Sequence, residues 1–145
     1  MRSAHPVGLA LMAALALGGC QAPPGGDADG PGAGRFTAIG ADEPVHATGT
    51  EPFWSVTVTP TTLTYKTPEN PDGTAVPARR NPGNNGLGVS ATLDGRQVDL
   101  AITLAPCSDG MSDRTYPFTV TLVIGEEMRT GCAWTDTKPP QGGPA

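Results

Sequence analysis

LDGRQVDLAITL, residues 93–104, decides the fold. Asp94-Gly95 is the strongest hairpin turn in the chain, because both central residues of such a turn need positive φ. After it, Val98, Leu100, Ile102 and Leu104 alternate with Asp99, Ala101 and Thr103. A period of two marks a strand with one face buried. The turn therefore joins a strand over Gly88–Leu93 to one over Arg96–Leu104.

The same pattern recurs outward from this hairpin. YPFTVTLVIG places Phe118, Val120, Leu122 and Ile124 on one face, and EEMRTGCAW, after the Gly125-Glu126 turn, places Met128, Thr130, Cys132 and Trp134 on one face. FWSVTVTP and LTYKTP form another hairpin, with Val56 and Val58 opposite Leu63 and Tyr65. A short strand is expected around Phe36–Ile39 or Val45–Thr48. Thr67–Leu87 carries four prolines and few large apolar residues, so a long loop is predicted there, with a short edge strand at Ala75–Val76. No segment shows a helical period of useful length. Successive hairpins give an up-and-down antiparallel order, and a sheet of this size must curl to bury its apolar face and hide its edges. The fold class is therefore all-β: a small antiparallel up-and-down β-barrel or sandwich of about 6–8 strands.

The ends of the chain read differently. Residues 1–19 combine Arg2, an apolar run from Val7 to Leu17 and two small residues. That run is too short to span a bilayer and reads as a signal peptide. Leu17-Gly18-Gly19-Cys20 resembles the lipobox of bacterial lipoproteins, which implies cleavage before Cys20 and acyl chains on it. Gln21, rather than aspartate, follows the cysteine and favours the outer membrane. Residues 20–34 are then the lipidated cysteine and a Gly/Pro-rich tether, whose roughly 14 flexible residues reach about 20 Å. Residues 35–136 form the β-domain, and 137–145 a second disordered tail.

Composition narrows the chemistry. The net charge of −5 comes without a basic cluster, so nucleic acid is a poor partner. Cys107 and Cys132 are the even pair left in an oxidising compartment and are expected to form one disulfide. With no CxxC motif and His46 the sole histidine beyond the leader, no metal site is expected. His46 has no evident nucleophile beside it, and no glycine-rich loop opens a helix, so no catalytic residue and no cofactor are assigned.

Two runs remain as candidate binding segments. In GTEPFWSV, Glu51 lies beside Phe53 and Trp54, which as strand neighbours point to opposite faces; one should plug the core, and the other cover an end or stay accessible. In CSDGMSDRTYPF, residues 107–118, Asp109 and Asp113 could serve as an acid/base pair or as calcium ligands, but Ser-Asp-Gly and Ser-Asp are more simply turn formers. Arg114 is expected to pair with Glu51 or Asp113. The candidate binding residues are therefore Glu51, Trp54, Asp109, Asp113, Arg114 and Tyr116.

Together, the lipobox, GTEPFWSV, YKTPE, CSDGMSDR-YP and the closing GCAW resemble a family of bacterial envelope lipoproteins known mainly by this signature. Some members adjoin domains resembling C-type lysozyme inhibitors or META/HslJ-like domains. The resemblance implies an envelope role and supplies no mechanism; with the residues read above, the expectation is a lipid-anchored, non-enzymatic binding or structural module facing the periplasm, whose partners are the membrane and an envelope protein or small ligand. Inhibition of C-type lysozyme is the alternative, and an enzyme of other chemistry the third.

Overall fold

A computed structural model of the chain describes residues 34–143. Cys20, the leader and most of the tether lie outside the described residues. Within them the protein is all-β: eight antiparallel strands, β1 (Val45–Gly49), β2 (Trp54–Val58), β3 (Thr62–Thr67), β4 (Asn70–Pro82), β5 (Gly86–Leu93), β6 (Arg96–Ser108), β7 (Thr115–Ile124) and β8 (Glu127–Thr135). Each pairs with the next, and β8 returns to β1, closing the barrel. Closure pairs every edge that an open sheet would leave exposed.

The turn at the centre of the sequence reading forms as expected. Leu93 pairs with Arg96, and Asp94 and Gly95 take φ of 50° and 75°. Inward-facing residues fill the barrel. Val98, Ile102, Phe118, Val120, Leu122 and Leu63 are all fully buried. Trp54 plugs one end and is 3% exposed. Its indole lies over two glycines: a Cβ on Gly49 would stand 2.2 Å from Trp54 Nε1, and one on Gly131 only 2.1 Å from the Thr48 carbonyl. Only glycine permits this approach of backbone and ring.

Three expectations are corrected. The segment 67–87 is not a loop but contains β4, 13 residues long. Its inward series Thr74, Val76, Ala78, Arg80 and Pro82 is half-buried and not strongly apolar, which is why its alternation is weak in the sequence. Its prolines are tolerated for a reason of register. Ala78 donates its N–H to Thr61 on the β3 side, so by alternation the missing N–H of Pro77 faces β5, where pairing begins only at Ala78↔Ala91. Second, Leu104 is not on a buried face but 59% exposed. Pairing to β5 stops at Gly86↔Thr103, so Leu104 has a strand neighbour on one side only. Third, residues 137–143 are not a free tail. Thr115 and Gln141 exchange two backbone hydrogen bonds of 2.8 Å, and Lys138 Nζ donates to the Ala38 carbonyl at 2.8 Å.

One end of the barrel is closed by non-strand chain. Ile39 is buried there and Phe36 packs against the core. Glu43 ties the segment before β1 to the segment after β8. Its carboxylate accepts the Gly40 N–H at 3.0 Å and both the N–H and the hydroxyl of Thr137. Burial alone would raise its pKa, but the Thr137 and Gly40 hydrogen bonds outweigh that and bring it to about 2.

Candidate functional site

The run 107–118 makes a pinned corner. β6 outruns β5, and its register against β7 shifts between Leu104 and Cys107. Cys107 is then bonded to Cys132, with Cα atoms 5.4 Å apart. Since β7 lies between β6 and β8 in the sheet, the disulfide bridges across β7. The Thr119 hydroxyl on β7 donates to the Ala105 carbonyl at 3.3 Å beneath it. Met128, Thr130, Cys132 and Trp134 do share a face, and it is the outer one; Cys132 is buried at 1% exposure on that face because the corner covers it.

Asp109 orders the loop itself. Its carboxylate accepts four donors: the N–H of Met111 at 2.9 Å, the N–H and hydroxyl of Ser112 at 2.8 Å each, and the Tyr116 hydroxyl at 3.1 Å. Hydrogen bonds from Met111 and Ser112 hold its pKa down at about 2. A carboxylate so committed makes a poor base near neutrality, so the turn-forming reading is the one the geometry favours. Burial, together with the hydrogen bond and charge of Asp109, raises the Tyr116 phenol; the Arg114 charge partly offsets this.

Tyr116 leads from the corner into an aromatic row. Its ring centroid lies 5.5 Å from that of Trp134, which lies 5.4 Å from that of His46. His46 is the direct cross-strand partner of Trp134 and faces Asp136 at 3.5 Å and the Thr57 hydroxyl at 3.5 Å. Beside the disulfide, a cavity of about 220 Å³ is lined by Thr48, Gly49 and Thr50 of the first hairpin, by Cys107–Asp109, and by Thr119 and Thr130–Cys132. Thr48, Thr50, Ser108, Thr119 and Thr130 bring hydroxyl-bearing side chains to its wall.

The expected binding residues therefore separate. Asp109 and Tyr116 meet directly, and Asp113 and Arg114 are exposed on the same loop. Glu51 is exposed in the β1–β2 loop, with φ 55°. Trp54 belongs to the core and presents no surface; its neighbour Phe53 is the accessible ring, 51% exposed. The ion pairs among the described residues are His46–Asp136, Arg96–Glu127 and Arg129–Glu127, so Arg114 is paired with neither Glu51 nor Asp113. Its stem lies instead against Gly143 of the C-terminal segment. Among the described residues no three His, Cys, Asp or Glu side chains converge as metal ligands.

The sequence reading missed Glu43 and the part played by Trp134. Glu43 offered no signal of its tie to the C-terminal segment, since Thr137 is 94 residues away. Trp134 did offer one, because it shares a face with Cys132. Compared with protein-family models, curated proteins and solved structures, the chain matches none.

Proposed function

We propose that the chain is a lipid-anchored lipoprotein of a bacterial envelope that acts by binding, with the 107–116 corner as its recognition surface. The observation that carries this is order without burial. Met111, Ser112, Asp113 and Arg114 are all exposed, yet the segment is held by a disulfide, by four donors to one carboxylate and by the Thr115–Gln141 bridge. A surface loop fixed in advance loses little conformational entropy when a partner binds. The leader, Cys20 and the tether support placement at a membrane, with the domain in the periplasm. A filled barrel supports recognition from outside the sheet. Lipid on Cys20 is tested by mass spectrometry of the N-terminal peptide after expression in a bacterial host; an unmodified Cys20 would remove the anchor from the proposal. Binding is tested by photocrosslinking in the intact envelope. Inhibition of C-type lysozyme by the soluble domain, unaffected by changes in the corner, would replace this reading.

A further inference from the structure

We infer a second site, at the end of the barrel closed by residues 34–44, for an anionic amphiphile: an acyl chain bearing one carboxylate or phosphate head. A cavity of about 500 Å³ opens there, within the size range of small-ligand sites and at a barrel mouth, where such sites occur. Its apolar wall is made by Phe36, Ile39 and Leu87 with Pro60 and Pro82. Arg35 and Arg80 line the same cavity. In a chain of net charge −5, two guanidinium groups on an apolar cavity select for one kind of ligand, with an apolar body and a negative head.

Arg80 is the sharper of the two observations. It occupies an inward position on β4, next in series after Val76 and Ala78. Arginine is rarely drawn inward without a partner. Its Nη1 donates to the Glu43 carbonyl at 2.7 Å and its Nη2 to the Gly40 carbonyl at 3.1 Å. A guanidinium has five N–H donors in a fixed fork, so these two bonds orient the group and leave donors over. Among the described residues Arg80 is in no ion pair. Partial burial lowers its pKa, and the charges of Glu43 and Asp42 nearby raise it. The Glu43 carboxylate is itself taken up by Gly40 and Thr137. The tether is a poor occupant, because residues 21–33, QAPPGGDADGPGA, hold no large apolar side chain. The apolar wall needs a ligand that brings its own chain.

The test is calorimetric titration of the domain with dodecanoate, and with dodecanoyl lysophosphatidylglycerol, followed by amide shift mapping. Acetate supplies the head alone and dodecanol the chain alone. Dodecanoate or the lysolipid is expected to bind saturably, with shifts centred on Phe36, Ile39 and Leu87, and acetate and dodecanol at least tenfold more weakly. The tighter of the two acyl ligands assigns the source, a free acid or a membrane lipid. Arg35→Gln changes an exposed residue outside the strands and should weaken binding about tenfold, the worth of one charge-assisted hydrogen bond. Arg80→Gln should weaken it further, and its melting curve shows whether the fold survives; Arg35→Gln carries the test if it does not. Absence of saturable binding up to millimolar ligand, equal binding of dodecanol, no effect of Arg35→Gln, or shifts centred elsewhere would each overturn the site. The corner at 107–116 contributes nothing to this cavity, so either site can fail alone.

Discussion

Removing the disulfide should cost the fold a measurable and calculable amount. Cys107 and Cys132 are 25 residues apart. On the chain-entropy model, closing a loop of that length in the unfolded state stabilises the folded one by about 3.5 kcal/mol. For a domain of this size each kcal/mol moves the melting midpoint by roughly 4 °C, so the double variant Cys107→Ala/Cys132→Ala should melt about 14 °C lower. Cys132 is buried at 1% exposure, so its truncation adds up to about 1 kcal/mol more. Reduction of the unaltered protein is the control, since it removes the tie without removing atoms. The assay is denaturant unfolding with and without reductant, alongside hydrogen exchange. The Met111 and Ser112 amides, which donate to Asp109, should lose protection first, because the corner opens locally before the barrel unfolds. A loss under 1 kcal/mol, with those two amides still protected, would show that the corner is held by its own hydrogen bonds and not by the tie.

Other consequences follow from single residues. Gly131→Ala should destabilise by about 3 kcal/mol or more, because its Cβ would stand 2.1 Å from the Thr48 carbonyl; a melt unchanged within 2 °C would contradict the Trp54 packing. Phe118→Ala removes a fully buried ring and should cost about 3–5 kcal/mol in denaturant unfolding. Glu43 and Asp109 both fall to about 2 in the fold, from ordinary values of 4.5 and 3.8. A depressed carboxylate stabilises fully above its unfolded pKa and ceases to do so as pH falls through its folded one. Protection of the Gly40, Thr137, Met111 and Ser112 amides should therefore hold down to about pH 5 and decline toward pH 2, and Glu43→Gln should flatten that decline at Gly40 and Thr137 only. Arg114→Ala should change stability by less than about 0.5 kcal/mol, as for exposed side chains outside any ion pair, while lowering partner capture.

The barrel was legible because its strongest strands carry their own signal. Val98–Ile102 and Phe118–Ile124 alternate cleanly, and Asp94-Gly95 can form little but a tight turn. β4 was illegible for the complementary reason. Its inward positions are Thr, Val, Ala, Arg and Pro, half-buried near a mouth, and its register hides the missing donor of Pro77. Periodicity reports how deeply a face is buried, so a strand at a barrel mouth falls silent. In the corner, Ser-Asp-Gly and Ser-Asp revealed a turn, and the cysteine count revealed the tie. That the tie crosses β7, and that Tyr116 meets Trp134 and His46, depended on a one-residue register shift between Leu104 and Cys107. No local pattern encodes such a shift. The Arg114 pairing failed likewise, because its neighbour is the C-terminal segment, which composition alone marked as free.

The proposed recognition through the corner is tested most directly by site-specific photocrosslinking of the full chain, expressed in a bacterial host, in intact envelope. A photoreactive residue replaces Met111, which is 68% exposed, and in parallel Met128, 71% exposed on β8 beside the β7–β8 turn at the other end of the barrel. A discrete adduct should form from position 111 and not from 128, and Asp109→Asn, which loosens the loop while the barrel still melts cooperatively, should abolish it. The same adducts from both positions, or an adduct from 111 that survives Asp109→Asn, would contradict recognition by an ordered corner.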